Sequence, residues 1–295
     1  MKKHQNRKAS HQPDGFPITP DNITNPPPPC QTAHRKSSSW PEQTRQQTWQ
    51  NRIKLYLETK QSLSHLSGES IMKCEQYASY ETPGYYLVNN IWNPDYVGKG
   101  KQCIEQPKGK SFAWNWDWSN NPTYTPLSYP SVIFGDKPWD PQASSTKSLP
   151  RQLSQINKVN VAYNYALSGA GRHNVAFDFW LTEGKASNQN SMRVEVMVWL
   201  EASGSMQPYG KFKKETPTYK FYAGELEPGR RWATYSFQLK QSKRAGTIDL
   251  NEFLKVLTQT QNVSPSLYLA DVEFGTEIWD GKGSMNISSY DVQVS

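Results

Sequence analysis

Long apolar runs are missing from this chain of 295 residues. No stretch approaches the ~20 apolar residues that a membrane-spanning helix needs, so we expect no membrane insertion. Met1, Lys2 and Lys3 begin a positive region, but the apolar core of a secretion signal does not follow. Histidine is also scarce: residues 72–295 contain only His173, which we interpret as an ordinary surface residue. Serine or cysteine nucleophiles that need a histidine base are therefore not expected.

Cysteine is scarce too. The chain has three, Cys30, Cys74 and Cys103, and their spacing fits no zinc pattern. No pair of His, Cys or Asp recurs at ligand spacing, so the sequence predicts neither a metal nor another cofactor. Within the part that is predicted to fold, Cys74 and Cys103 are either joined in a disulfide or present as two buried thiols.

Positive charge is concentrated at the N-terminal end. Residues 1–71 hold ten Lys and Arg against five Asp and Glu, whereas residues 72–295 hold 23 against 21. Because the main domain is nearly neutral, its charge does not predict nucleic-acid binding. Residues 1–71 are polar, contain the run Pro26 to Pro29, and cannot bury enough apolar surface to fold alone. They are predicted to be a disordered tail or an over-extended gene start, with residues 72–295 as the folded domain.

Aromatic residues are plentiful. Hydrophobic residues make up only 35% of the chain, yet 13% of residues are aromatic, with eleven tryptophans. Short strand-like runs separated by Gly, Pro, Asn and Ser predict an all-β sandwich or jelly roll. One helix is predicted, with Asp249 as its cap and Leu250, Phe253, Leu254 and Leu257 at helical spacing. The predicted strands cover residues 85–92, 111–118, 159–167, 174–181, 192–200, 218–223, 231–239, 266–278 and 284–294.

Three of these strands place acidic and tryptophan side chains on one face, because side chains alternate along a strand. An ionised carboxyl on an otherwise apolar strand is costly to bury unless it is solvated in a cleft or paired with a partner. The simpler alternative is that this face points to solvent. Neighbouring strands of this kind would form a groove with carboxylates on its floor and indole plates for the apolar faces of sugars. The acid and tryptophan faces are Glu195, Met197 and Trp199; Glu273, Glu277 and Trp279; and Asp178 and Trp180.

At these residues the sequence resembles glycoside hydrolase family 12, the jelly-roll endoglucanases and xyloglucanases, over most of residues 74–295. The run 89–93 (Asn-Asn-Ile-Trp-Asn) is similar to the family's Asn-Asn-aromatic-Trp segment, and 129–131 to its Ser-Tyr-Pro element. The run 195–200 (Glu-Val-Met-Val-Trp-Leu) resembles the nucleophile strand, and 274–277 (Phe-Gly-Thr-Glu) the Gly-Thr-Glu strand. Residues 249–257 fall where the family has its single helix.

The resemblance implies a jelly roll of two antiparallel sheets with one packed helix and an open cleft on the concave sheet. It also implies a retaining mechanism with Glu195 as nucleophile, Glu277 as acid/base instead of Glu273, Asp178 as auxiliary acid, and a Cys74–Cys103 disulfide. In the family the tryptophan matching Trp92 stacks a sugar in the non-reducing half of the cleft. The residues expected to hold the glucan are Asn90, Trp92, Trp114, Trp116, Met197, Trp199 and Trp279. The three indoles of 114–118 share a face that is either cleft or core.

The substrate expected from this resemblance is a β-1,4-glucan, cleaved by a monomeric extracellular enzyme. Xyloglucan and mixed-linkage glucan are alternative polymers. A non-catalytic carbohydrate-binding jelly roll is the alternative outside the enzymes, although a binding module has no need of both Glu195 and Glu277. Two departures from the family pattern stand out: residues 1–71 have no counterpart, and Ile278-Trp279 replaces a Pro-Phe pair found in many members.

Overall fold

The computed structural model describes residues 70–93, 100–119, 125–140, 144–203, 206–224 and 231–295. Nearly all of the predicted N-terminal extension, and Cys30 with it, lies outside these ranges, so the domain boundary stays a prediction. Within them, no helix is long and apolar enough to cross a membrane. Cys74 and Cys103 form a disulfide, which confirms the pairing implied by the resemblance.

The described residues are mostly β-strand and form two sheets. The six-stranded sheet has the order β1-β4-β5-β17-β8-β14, and the eleven-stranded sheet contains the order β11-β12-β13-β10-β9-β16-β6-β3-β2, with β15 and β7 attached at β9. The strands are β1 Met72–Lys73, β2 Ser79–Thr82, β3 Tyr85–Val88, β4 Lys101–Glu105, β5 Phe112–Trp118, β6 Ser131–Gly135, β7 Arg151–Gln152, β8 Val159–Ala170, β9 Asn174–Thr182, β10 Met192–Ala202, β11 Lys211–Glu215, β12 Tyr219–Ala223, β13 Ala233–Leu239, β14 Ala245–Asp249, β15 Tyr268–Leu269, β16 Asp271–Gly275 and β17 Gly281–Val294.

The core lies between the two sheets and is made of alternate residues from each strand. From the large sheet, Phe177 and Phe274 stack with ring centroids 4.6 Å apart. Each such ring stabilises the fold by roughly 1.5–3 kcal/mol when fully buried. The opposite face of the large sheet carries Asp178, Glu195 and Glu273, so the alternation that the sequence predicts is confirmed.

The tryptophans of β5 face this core. Trp114 and Trp116 are each 1% exposed, whereas Asn115 and Asp117 between them point outward. Trp116 packs against Gly283 on the neighbouring strand β17 and Gly169 on β8 beyond it; a Cβ on Gly283 would sit 2.3 Å from Cζ2 of this indole. The prediction that Trp114 and Trp116 bind substrate is therefore wrong, because both rings are sealed between the sheets, away from the cleft.

One pair of neighbouring strands departs from the expected antiparallel sheets. Strands β10 and β13 run parallel, with Glu195 opposite Thr234. The chain reaches this position by crossing to the sheet edge, forming the β11–β12 pair, and returning as β13. A parallel neighbour needs such a crossover connection, which local sequence patterns do not reveal.

The predicted helix is confirmed as α1, Asn251–Thr260, and its residues Phe253, Leu254 and Leu257 are buried. Its start differs from the predicted capping box. Leu250 is the cap residue, while the Asp249 carboxylate accepts hydrogen bonds from the backbone N–H groups of Asn251 and Val159. Asp249 thus joins the helix start to β8.

Candidate active site

The concave face of the large sheet forms a cleft of about 1170 Å³. Cross-strand pairing places its acidic residues side by side: Asp178 on β9 lies opposite Met197 on β10 and opposite Glu273 on β16. Glu195 lies two residues before Met197 on β10, opposite Trp180 on β9. The three acid-bearing segments that the sequence singles out therefore meet in one cavity. Its lining includes Asp178, Glu195, Glu273 and Glu277 together with Asn90, Trp92 and Met197.

Two hydrogen bonds fix the carboxylate of Glu195. Thr234 Oγ1 donates to Glu195 Oε2 over 2.8 Å, and Trp232 Nε1 donates to the same oxygen over 3.2 Å. Thr234 is directly opposite Glu195 because β13 is the parallel neighbour of β10. Hydrogen bonds from neutral donors favour the charged form of a carboxyl and restrict its rotation. The carboxyl of Glu195 is thus oriented by donors that favour its charged form, and the residue is partly exposed at the cleft.

Glu277 lies beyond the end of β16 and exchanges two hydrogen bonds with Asn174 at the start of β9. Asn174 Nδ2 donates to Glu277 Oε2 over 2.6 Å, and the Glu277 backbone N–H donates to Asn174 Oδ1 over 3.1 Å. Burial raises the pKa of Glu277 from 4.5 to about 8; the bond from Asn174 opposes this rise, and the charge of Glu195 adds to it. Near neutral pH, Glu277 is therefore an acid that can give up a proton.

Asp178 and Glu273 form a buried acidic pair beneath the other two carboxyls. Asp178 is 6% exposed, and its Oδ1 has no hydrogen-bond partner among the described residues. Burial raises the pKa of Asp178 well above its usual value, and the charges of Glu195 and Glu273 add to the rise. For Glu273, burial raises the pKa to about 8, against a hydrogen bond from Ser131. Four carboxyls thus share the floor, and burial raises the pKa of Asp178, Glu273 and Glu277.

Aromatic side chains line the cleft. Trp92 is 40% exposed at one end. Elsewhere Trp139, Trp180 and Trp232 follow one another, with ring centroids 5.4 and 5.3 Å apart. Trp180 is only 7% exposed, whereas Trp92, Trp139 and Trp232 are at least partly exposed. Accessible indole faces suit the apolar faces of sugar rings, with polar groups such as Asn90 at their edges.

The structure changes the expectation for Trp199, which is 1% exposed and does not line the cavity. Its ring lies beneath Trp279, with centroids 6.2 Å apart, and packs with Met197 and Met206. The prediction that Trp199 contacts substrate is wrong in this structure, because its indole supports the cleft wall from below. Trp279 is partly exposed, so its contact with substrate stays a prediction.

His173 is not the surface residue that we expected. It is 6% exposed and packs edge-on to Trp116 at 5.7 Å, where burial lowers its pKa. The cavity lining does not include it. It therefore acts as a core aromatic, and the carboxyls are the groups of the cleft that can exchange protons near neutral pH.

Sequence reasoning missed several residues that support the site. Asn174, Trp232 and Thr234 hold the two key carboxyls, yet none belongs to the strand segment that carries its partner. The available signal was the alternation of Trp232, Thr234 and Ser236, which marks one face of a strand. That pattern does not identify β10 as its neighbour. Trp139, Lys137 and Tyr77 also line the cleft without having been singled out.

Comparison with known proteins finds glycoside hydrolases. The chain is 29% identical over 218 residues to Endoglucanase S of Pectobacterium parmentieri, covering 71% of this chain and 81% of that protein. It is also 29% identical to a protein named Inactive glycoside hydrolase XLP1 of Phytophthora nicotianae, covering 75% of this chain and 91% of that one. A native family 12 xyloglucanase structure from Bacillus licheniformis superposes with a TM-score of 0.70 at 27% identity, covering 76% of this chain and all of that one.

The family-level match spans all the carboxyls of the site. The model of glycosyl hydrolase family 12 matches residues 83–295, which include every carboxyl of the cleft and all of the residues that hold them. That match extends over most of the chain, and the solved family 12 structure shares its jelly-roll fold. The chain therefore belongs to glycosyl hydrolase family 12.

Proposed function

We propose that the protein is a retaining endo-β-1,4-glucanase, a cellulase that hydrolyses internal bonds of β-glucan by double displacement. The observation that carries the proposal is the unequal environment of two carboxyls in one cleft. Glu195 is held by donors that favour its anion, whereas the pKa of Glu277 is raised to about 8. A retaining glycosidase needs one carboxylate and one carboxylic acid, about 5–5.5 Å apart.

Each carboxyl has two tasks in this mechanism. Glu195 attacks the anomeric carbon while Glu277 protonates the leaving oxygen, which gives a covalent glycosyl-enzyme. Once Glu277 is ionised by that transfer, it takes a proton from water, which attacks the same carbon and releases Glu195. Thr234 and Trp232 keep the attacking carboxylate in place through both steps. Asp178 acts as the auxiliary acid: burial keeps it protonated, so that it adds no second negative charge beside Glu195.

Xyloglucan is the second candidate substrate. The Bacillus licheniformis relative is named a xyloglucanase, and an Aspergillus fumigatus relative, 27% identical over 263 residues, is named a probable xyloglucan-specific endo-beta-1,4-glucanase. Rates on cellulose, xyloglucan and mixed-linkage glucan, measured with one enzyme preparation, decide between these polymers. The preferred polymer is the one with the largest kcat/KM.

Replacing the nucleophile tests the catalytic proposal. Glu195→Gln should abolish the release of reducing ends from a soluble β-1,4-glucan, because the amide cannot form the glycosyl-enzyme, while the circular dichroism spectrum stays unchanged. Glu201→Gln is the matched control: Glu201 lies on the same strand, accepts a hydrogen bond from Tyr165 and does not line the cleft. It should keep its activity. Undiminished activity of Glu195→Gln refutes the assignment.

The configuration of the first products tests the retaining step. Proton NMR of an early time course should show the β-anomer before mutarotation, because two inversions restore the configuration. Early α-anomer contradicts the nucleophile role of Glu195. A wild-type protein that is retarded in a β-glucan gel but never shortens the polymer is instead a non-catalytic binding protein.

An extracellular site of action follows from the proposed substrate. Glucan polymers are too large to enter cells, and the disulfide between Cys74 and Cys103 is typical of oxidising compartments. We expect the enzyme in the culture medium, working as a monomer. Activity that remains inside washed cells would contradict this location, and a dimer mass in size-exclusion chromatography would contradict the monomer.

A further inference from the structure

Tyr209 forms an aromatic surface beside the nucleophile's supporting strand. Its ring is 43% exposed and lines the cleft. The pairing of Glu195 with Thr234 continues across the next strand, because Gly224 N donates to Thr234 O over 2.8 Å. Residues that pair directly share a face of the sheet. Position 224 therefore faces the cleft, and a Cβ added there would lie 2.5 Å from Tyr209 Cε1. The Tyr209 ring covers this glycine with its Cδ1–Cε1 side, and the residue keeps 43% exposure at the cleft.

Two glycines allow this arrangement. Gly224 leaves the space that the ring occupies. Gly210 has φ +105°, a left-handed conformation that favours glycine, and a Cβ there would lie 2.5 Å from the carbonyl carbon of Ala223. The chain can thus pass close enough to β12 to set the tyrosine ring against the sheet. A ring that is backed by backbone on one side is fixed before any ligand arrives.

The position of Tyr209 relative to Trp92 is set by the strand order. Trp92 follows β3, which lies four strands from β10 on one side, and Gly224 follows β12, which lies two strands from β10 on the other. With neighbouring strands about 4.8 Å apart, the ring of Tyr209 lies about 10 Å across the sheet from the strand of Glu195. A polymer that crosses the strands over Glu195 would meet Trp92 and Tyr209 at opposite ends.

We propose that Tyr209 is a stacking platform for a sugar ring of the β-glucan chain, on the side of the cleaved bond opposite to Trp92. With Trp92 on the non-reducing side, as the sequence resemblance implies, Tyr209 binds the leaving-group part of the chain. Aromatic rings bind the apolar faces of sugars in this way, and the wet hydroxyl end of a tyrosine suits a cleft rim. The inference rests on the proposed glucanase function and adds a residue that helps to determine which substrates the enzyme prefers.

Two substrates separate the leaving-group side from the other side. Cellohexaose fills both sides of the cleft, whereas para-nitrophenyl β-cellotrioside has an aryl leaving group in place of sugars. Tyr209→Ala should lower kcat/KM on cellohexaose by about 3- to 10-fold, the loss expected for one stacked ring, and leave the aryl substrate unchanged. Trp92→Ala should lower both. Tyr209→Phe, which keeps the ring, should behave as wild type, and Gly224→Ala should reproduce part of the loss by displacing the ring.

Equal loss on both substrates, or no loss on either, would overturn the platform. A second measurement needs no turnover: retardation of the protein in a gel that contains soluble β-glucan should weaken in Tyr209→Ala and persist in Tyr209→Phe. Unchanged retardation in Tyr209→Ala also refutes the inference. A wild-type protein that cleaves neither substrate refutes the glucanase function instead, and the gel then still decides whether Tyr209 binds sugar.

Discussion

The protonated state of Glu273 can be tested through the stability of the fold. Glu273 is 0% exposed, lies opposite Asp178, and accepts a hydrogen bond of 2.8 Å from Ser131 Oγ. In Glu273→Gln, the amide keeps the shape of the side chain and an oxygen that accepts from Ser131, but it carries no titrating group. The substitution therefore isolates the effect of ionising one buried carboxyl.

The expected magnitude follows from the raised pKa. Burial raises the pKa of Glu273 from 4.5 to about 8. The native state then binds this proton more tightly than the unfolded state does, so its contribution to stability is complete below 4.5 and is lost as the pH rises to about 8. At about 1.4 kcal/mol per unit, the wild type loses up to ~4 kcal/mol from this group between about pH 5 and about pH 8. The variant avoids this loss.

Urea unfolding followed by tryptophan fluorescence measures the effect. At about pH 5 the variant should be equal to or slightly less stable than the wild type, since its new N–H₂ group needs partners. By about pH 8 the variant should be the more stable protein. The matched control is Glu215→Gln on exposed strand β11, where a bond to Lys240 lowers the pKa of Glu215. It should show no such trend. A stability difference between Glu273→Gln and wild type that stays constant with pH would refute the buried-proton argument.

Two further predictions concern the supports of the catalytic pair. Because Glu277 must start protonated in the proposed mechanism, wild-type kcat/KM should fall as the pH rises past about 8. Asn174→Ala removes the bond that favours the anion, so this fall should move to higher pH. If the alkaline fall in the pH–rate profile stays at the same pH or moves to lower pH in Asn174→Ala, the role of Asn174 is contradicted. Thr234→Val should lower kcat by about tenfold or more, with little change in KM, since a hydrogen bond to the charged Glu195 is lost. Thr234→Ser keeps the hydroxyl and should keep the rate; equal losses in the Val and Ser variants would point to packing instead.

The faces of individual strands could be predicted from the sequence because alternation is a local property. It put Glu195 and Met197 on one side of β10 and the valines on the other, as the structure does. Alternation does not say which face lies inside. For Trp114 and Trp116 the same pattern allowed cleft or core, and in the structure both rings are buried between the two sheets.

The partners of the carboxyls could not be predicted, because they depend on which strands are neighbours. Thr234 supports Glu195 only through the parallel pairing of β10 with β13. Asn174 reaches Glu277 because the chain after β16 returns to the start of β9. The family resemblance implied roles for the two glutamates, yet their supports depend on long-range contacts within this particular chain.

Those long-range contacts have a consequence for how the enzyme gains and loses activity. The bond between Asn174 and Glu277 joins residues 103 positions apart, that between Ser131 and Glu273 joins residues 142 apart, and that between Thr234 and Glu195 joins residues 39 apart. No short fragment contains a carboxyl together with its support. During folding, such distant pairings form late, because their loops must close first. On heating, local opening of β13 or of the segment after β16 would inactivate the enzyme while most of the sheet stays folded. Thermal inactivation is therefore expected at a lower temperature than the loss of β-structure.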